Sequence, residues 1–229
     1  MDLLIEYRSQ LWAGLVTTVQ IALASLFFSV ALGLIGAWAK LSANRTARAL
    51  AGAYTTLVRG VPDLVLIMLV FFGGQVTLNA IGAATGLWDY LEVSQFAAGA
   101  LTIGVIFGAY FTETFRGAIL AIPRGQIEAG ISIGMSRPLL FRRIVWPQMV
   151  RYALPGFGNN WLVQLKTTAL VSVIGLQDLV YNAFAAGRST DALFTFMAAA
   201  FVIYLGLTAL SDLGLRALER RYSRGVQRA

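Results

Sequence analysis

EAGISIGMSRPLLFRRIVWP, residues 128–147, sets an acid, two glycines, three arginines and two prolines in a chain otherwise built for lipid. On either side the sequence is nearly free of charge. Ser9 to Ala39 carries none, and at about 1.5 Å per residue it is ample helix for a hydrocarbon core about 30 Å thick. Leu64 to Trp88, Val93 to Thr112 and Ala192 to Ser211 are further uncharged runs. Tyr152 to Gln177 is apolar overall but interrupted by Pro155-Gly156 and by Lys166. It reads as a broken or kinked span, tolerated where the freed backbone groups face protein or water. The expectation is an all-α integral membrane protein, residues 1–229 forming one transmembrane domain. Its five transmembrane helices are placed at about 10–39, 54–75, 93–116, 152–177 and 192–213, with an insert at about 124–150 between spans three and four.

Composition agrees. The 229 residues are 58% hydrophobic and only 13% charged, with a mean hydropathy of +0.71; soluble domains average about 25% charged. The chain contains no cysteine and no histidine. Disulfides, thiolate or imidazole metal sites and the common nucleophile–base pairs are therefore excluded, and no acid pair has a metal-ligand spacing. The leading residues MDLLIEYR lack the basic start of a cleavable signal peptide, and the apolar run after them is too long for one.

The placement of the cations orients the spans. Lys40, Arg45, Arg48 and Arg59 lie between spans one and two. Arg116, Arg124, Arg137, Arg142, Arg143 and Arg151 lie between three and four, and Arg216, Arg220, Arg221, Arg224 and Arg228 follow span five. The opposite side holds Arg8 and Arg188 with Asp2, Glu6, Asp89, Glu92, Asp178 and Asp191. By the positive-inside rule the N-terminus is outside, the C-terminus is cytoplasmic and the insert is cytoplasmic. This one-sided distribution also argues that the net charge of +7 serves membrane orientation and not nucleic acid.

Within the insert, Gln126 to Ile133 can form a short helix with Ile127 and Ile131 on one face, stopped at Gly134. Ser136 and Pro138 can open a second short helix, with Leu139, Leu140, Ile144 and Val145 apolar, Arg142 and Arg143 on another side, and Pro147 and Pro155 limiting it. Two short helices hinged at glycine, with Ala129 and Gly130 allowing close approach, make a docking surface for a cytoplasmic partner. A solvated basic loop that only orients the protein is the other reading.

Glu128, Ala129, Gly134, Ile144 and Pro147 match the spacing E-A-A-x3-G-x9-I-x-L-P, the signature of permease subunits of binding-protein-dependent ABC importers. Gly130 replaces the second alanine and Trp146 the leucine. TTLVRGVPDLVL, GAYFTETFRGAI, RYALPGFGNNWLVQLKTTALVSVIGL and LERRYS resemble the polar amino acid subfamily over almost the whole chain. Within it the resemblance is to one of the two permease subunits of a histidine/lysine/arginine/ornithine importer. The resemblance implies that the insert is a coupling helix fitting a groove on a cytoplasmic ATPase dimer, with Glu128 at the contact. It implies a second, homologous permease chain, a heterodimer before a homodimer, a periplasmic binding protein and a bacterial inner membrane. Any ATP and Mg would sit on the ATPase partner and no cofactor on this chain, which has no phosphate-binding G-x-x-x-x-G-K-[ST] loop. The implied cargo is a basic L-amino acid, with another polar amino acid or an opine as the alternative.

Ionisable and strongly polar residues within spans are candidates for the translocation path: Asp63, Glu113, Asn160, Lys166 and, in span one, Gln20. Glu113 and Arg116 are three apart and can pair. Glu113, Arg116 and Lys166 could equally form a structural charge network. An unpaired Lys166 would repel a cationic cargo unless an acid bridged it. Thr17, Thr18, Ser25 and Ser29 read as packing residues, Gly33-x-x-Gly36 and Gly73-Gly74 as close-contact or flexible points. Leu179 to Ala186 is an external amphipathic stretch that, with Asp89 and Glu92, could meet the binding protein or form a solvated acidic rim. A self-contained channel or secondary transporter would be expected to show internal repeats, and the sequence has no convincing pair. A membrane enzyme would need a convergent set of reactive groups that it lacks.

Overall fold

The computed structural model describes residues 2–222, so Arg224 and Arg228 of the basic tail lie outside the described residues. The described residues form helices and no strand. In chain order they are α1 (Asp2–Glu6), α2 (Arg8–Leu41), α3 (Arg45–Gly60), α4 (Asp63–Thr85), α5 (Gln95–Leu120), α6 (Arg124–Ser132), α7 (Arg137–Ile174), α8 (Leu179–Ser189) and α9 (Leu193–Tyr222). Four of them, α2, α4, α5 and α9, are long and apolar enough to cross a membrane. The α7–α8 pair, bent by 52° at its break, supplies a fifth if counted as one span.

The fold is built around α5, whose buried face packs chiefly on α2. Small residues make that approach possible. A Cβ built on Gly33 would stand 2.5 Å from Cβ of Phe111, and one on Gly36 would overlap Thr112. From the other helix, a Cβ on Gly104 would stand 2.6 Å from Cβ of Phe28, and one on Gly108 2.8 Å from Cβ of Leu32. With little hydrophobic force between helices in lipid, such close backbone contact supplies the association. Ile21, Ile103, Ile106, Phe107, Phe111 and Phe115 fill the adjoining core. Ser25 and Ser29 add a polar rivet, because buried Gln164 of α7 donates to Ser25 Oγ (2.9 Å) and accepts from Ser29 Oγ (3.3 Å). Gly73 and Gly74 touch nothing that a Cβ would meet. The outward faces of α4 and α9 expose Phe72, Val76, Phe201 and Leu210, which have no packing partner among the described residues that would bury them.

Two helix boundaries differ from the sequence expectation. The stretch placed at 54–75 is not one helix. Val61 is extended (φ −112°, ψ 138°) because Pro62 disfavours a helical residue before it, so α3 ends at Gly60 and the long apolar helix starts at Asp63. Conversely, Pro147 and Pro155 do not end the second insert helix, which continues through both as α7. A π-helical segment, Phe141–Val145, changes the hydrogen-bond register immediately before Pro147, so the missing N–H falls where the ladder is already offset. The break expected at Pro155-Gly156 lies instead at Gly175 (φ +85°), after a 3-10 segment over Thr168–Ile174. Asp178 then caps α8, its Oδ1 accepting from Tyr181 N at 2.8 Å.

The α4–α5 connection is latched down. Gln75 accepts from Val93 N (2.7 Å) and donates to Leu91 O (2.6 Å), while Asn79 accepts from Leu91 N (2.8 Å) and donates weakly to the same carbonyl. Trp88 lies against Gly82, where any side chain would collide with the indole.

Candidate coupling insert and translocation path

In the insert, α6 and the start of α7 meet at Gly134, whose φ of +78° favours glycine. Gly130 is buried and faces α7, where a Cβ would stand 2.5 Å from Leu140 Cδ1 and 2.8 Å from Ile144 Cδ1. Gly130 and Ile144 of the motif therefore hold the insert together. Ser136 stands at the helix start but makes no side-chain cap bond; its carbonyl accepts from Leu140 N at 2.8 Å.

The opposite face of α6 is free. Glu128 and Ala129 are exposed, and no described cation lies within 4.0 Å of the Glu128 carboxylate. Beside them Ile131 and Ile133 are 59% and 74% exposed. Arg142 and Pro147 are also exposed. A carboxylate flanked by bared isoleucines at the tip of an ordered turn is suited to a protein groove. Gly130→Ala is expected to be mild, within about 1 kcal/mol, because the colliding methyl groups end flexible side chains. Gly130→Phe should lower the melting temperature clearly more, and thermal unfolding of the purified protein separates the two.

The candidate path residues do not converge on one another. Glu113 is engaged: Lys40 pairs with its Oε1, Arg116 Nε with Oε2 at 2.9 Å, and Lys40 also donates to Thr55 Oγ1 at 2.6 Å. This network ties α2, α3 and α5 together. It supports the structural reading of Glu113 and Arg116, but with Lys40 in the place expected of Lys166. Lys40 lies 73 positions from Glu113 in sequence, beyond the reach of any helical spacing rule. Glu113→Gln should strand two cations and cost about 2 kcal/mol, discounted because the carboxylate is about a quarter exposed. Adding Lys40→Met to Glu113→Gln should then cost little more, which a double-mutant cycle on melting temperature checks.

Asn160 donates to Thr114 Oγ1 at 3.0 Å, bridging α7 to α5. Gln20 is exposed on the outside of α2, away from the other candidates' hydrogen bonds. Asp63, at the first turn of α4, is half-buried with no ion-pair partner among the described residues. Arg59 lies 5.0 Å from the ring centre of Tyr110, a cation–π contact. Lys166 is exposed with no described carboxylate within 4.0 Å, so the bridge that would mask its charge is not formed. It lines a cavity of about 330 Å³ with Met197, Phe201, Tyr204 and Thr208 of α9. No group of three or more acids able to hold a metal occurs among the described residues.

The same architecture occurs in known proteins. Residues 12–224 match the family model described as "Binding-protein-dependent transport system inner membrane component". The chain is 50% identical over 216 residues to the histidine/lysine/arginine/ornithine transport system permease protein HisQ of Salmonella typhimurium, covering 94% of each. It is 46% identical over 224 residues to the nopaline transport system permease protein NocQ of Agrobacterium fabrum, covering 96% of this chain and 94% of that one. The crystal structure of an amino acid ABC transporter with histidines superposes with a TM-score of 0.81 at 29% identity, covering 95% of this chain and 96% of the other. The chain is thus a multi-pass membrane protein with the permease fold. It belongs to the family of inner membrane components of binding-protein-dependent transport systems, as a permease subunit of an ABC amino acid importer.

Proposed function

We propose that this chain carries basic L-amino acids (arginine, lysine, histidine, ornithine) across a bacterial inner membrane, with residues 124–150 as its coupling helix. The observation that supports the coupling role is the outward face of α6, where Glu128 and exposed Ile131 and Ile133 have no partner among the described residues. The N-terminus is outside and the C-terminus and insert are cytoplasmic, in keeping with the one-sided cations. An ATPase dimer holding ATP and Mg docks on the insert, a second permease chain, homologous but not identical, completes the path, and a periplasmic binding protein delivers the cargo. The identity to HisQ supports the basic cargo.

Lys166 becomes intelligible in this reading. Every amino acid offers an α-carboxylate, and an unpaired ammonium beside a 330 Å³ cavity is a receptor for it. Asp63, without an ion-pair partner among the described residues, remains the acid available to a cationic side chain, whereas Glu113 is already neutralised. Lys166→Gln is expected to raise the concentration for half-maximal uptake about tenfold or more, the worth of one hydrogen bond to a charged group. It should leave the melting temperature nearly unchanged, because Lys166 has no structural bond to lose.

An opine or another polar amino acid is the second reading, favoured by the 46% identity to the nopaline permease. Arginine uptake by intact cells with and without this gene, competed by lysine, histidine, glutamine, glutamate and nopaline, tests both. Loss of an uptake that lysine and histidine compete for supports the basic branch. Unchanged arginine uptake, in cells lacking other arginine systems, overturns it and leaves the coupling helix standing on its own residues.

A further inference from the structure

One groove lies apart from the candidate path residues, with its α7 wall beginning at the end of the insert. It is an apolar groove of about 270 Å³ between α7 and α9, floored by α2 and α5. Trp146, Val150 and Phe157 run along its α7 wall, Leu218 and Tyr222 along its α9 wall, and Phe115 lies at its base. From Trp146 to Phe157 the helix rises about 16 Å, close to half of a hydrocarbon core about 30 Å thick. Its length is therefore that of one leaflet. At the open end stand Trp146 and Tyr222, both half-exposed aromatics of the kind found at headgroup level. Arg142-Arg143 lie one turn before Trp146, and Arg220-Arg221 immediately precede Tyr222. All four are exposed and none pairs with a described carboxylate, although Glu219 shares the last turn of α9 and offsets one charge.

We propose that this groove binds an anionic phospholipid of the cytoplasmic leaflet, one acyl chain lying along α7 and the phosphate facing the four arginines. A single acyl chain matches the apolar wall of about 16 Å in length. The polarity also matches, for the walls are apolar and the mouth is cationic. The bound lipid would join the end of α9 to the root of the insert, where coupling motion enters the membrane. The proposal rests on the cytoplasmic placement of the insert and C-terminus.

Native mass spectrometry of the assembled transporter tests it, with phosphatidylglycerol and phosphatidylcholine added at equal concentration. The intact complex should retain phosphatidylglycerol in preference. Arg220→Gln with Arg221→Gln, two exposed changes that should not disturb folding, are expected to weaken that preference about fivefold per arginine. Val150→Trp, which fills the groove, should remove tight retention of either lipid. Equal retention of the two lipids by the unaltered complex would overturn the proposal, as would retention unchanged by Val150→Trp. A photo-crosslinking residue at position 218 should label lipid, and labelling of the second permease chain instead would also overturn it. ATP-driven uptake measured on the same preparation reports the importer reading separately. Equal retention of the two lipids by an unaltered complex that still takes up substrate counts against this groove alone, and absent uptake counts against the importer.

Discussion

Gly33→Leu should leave little folded permease in the membrane. Its side chain would have to enter the space held by Cβ of Phe111, the Phe111 backbone and the ring of Phe115. None of these is the free end of a flexible group. Overpacking ordinarily costs about 1–3 kcal/mol; here α2 and α5, the main packing pair of the molecule, must separate, so the loss should reach or exceed about 3 kcal/mol. The expected result is a collapse of the monodisperse fraction in size-exclusion chromatography and a large fall in melting temperature. Gly206→Leu is the control, because nothing lies within 4 Å of a Cβ there. A normal yield from Gly33→Leu would mean that the α2–α5 seam is wrongly described.

Glu128→Lys should have the largest functional effect at small structural cost. Glu128 forms no side-chain bond among the described residues, so the melting temperature should hardly move. A like-charge contact in a docked interface costs several kcal/mol. Uptake should therefore fall about tenfold or more while the ATPase partner continues to hydrolyse ATP. Measuring both rates on one preparation distinguishes uncoupling from failure to assemble. Normal transport by Glu128→Lys would contradict the coupling role.

The sequence and structure agree where information is local. Uncharged runs located the apolar helices, Gly134 marked the turn of the insert, and Gly33-x-x-Gly36 marked a close helix contact, because each depends on a few neighbouring residues. The disagreements arise where a local rule meets a compensation elsewhere. Pro147 ends a helix only if the hydrogen-bond register is regular, and the π segment over Phe141–Val145 removes that condition. The span placed at 54–75 runs across Val61-Pro62, although Asp63 after Gly60-Val61-Pro62 sits where a helix starts or breaks; proline dictates an extended Val61, and the break is what the structure has. Glu113 and Arg116 declared their pairing by spacing, but Lys40 reaches Glu113 only because the glycine seam brings α2 onto α5. Gln75 and Asn79 gave no signal either, since clamping the α4–α5 loop depends on backbone groups 12 to 18 positions away. Lys166 was conspicuous in sequence, and its lack of a counter-charge is visible only in three dimensions.

The central claim is that this chain moves an amino acid by coupling to ATP hydrolysis in another chain. Radiolabelled arginine accumulation should be measured in proteoliposomes carrying this chain with its second permease and ATPase partners. The compartment facing the ATPase can be supplied with or without ATP, and the opposite compartment with or without the binding protein. Accumulation that requires ATP and the binding protein together is the predicted result. Arginine flux through this chain in the absence of ATP, or through this chain alone, would show a channel or secondary transporter and contradict the account.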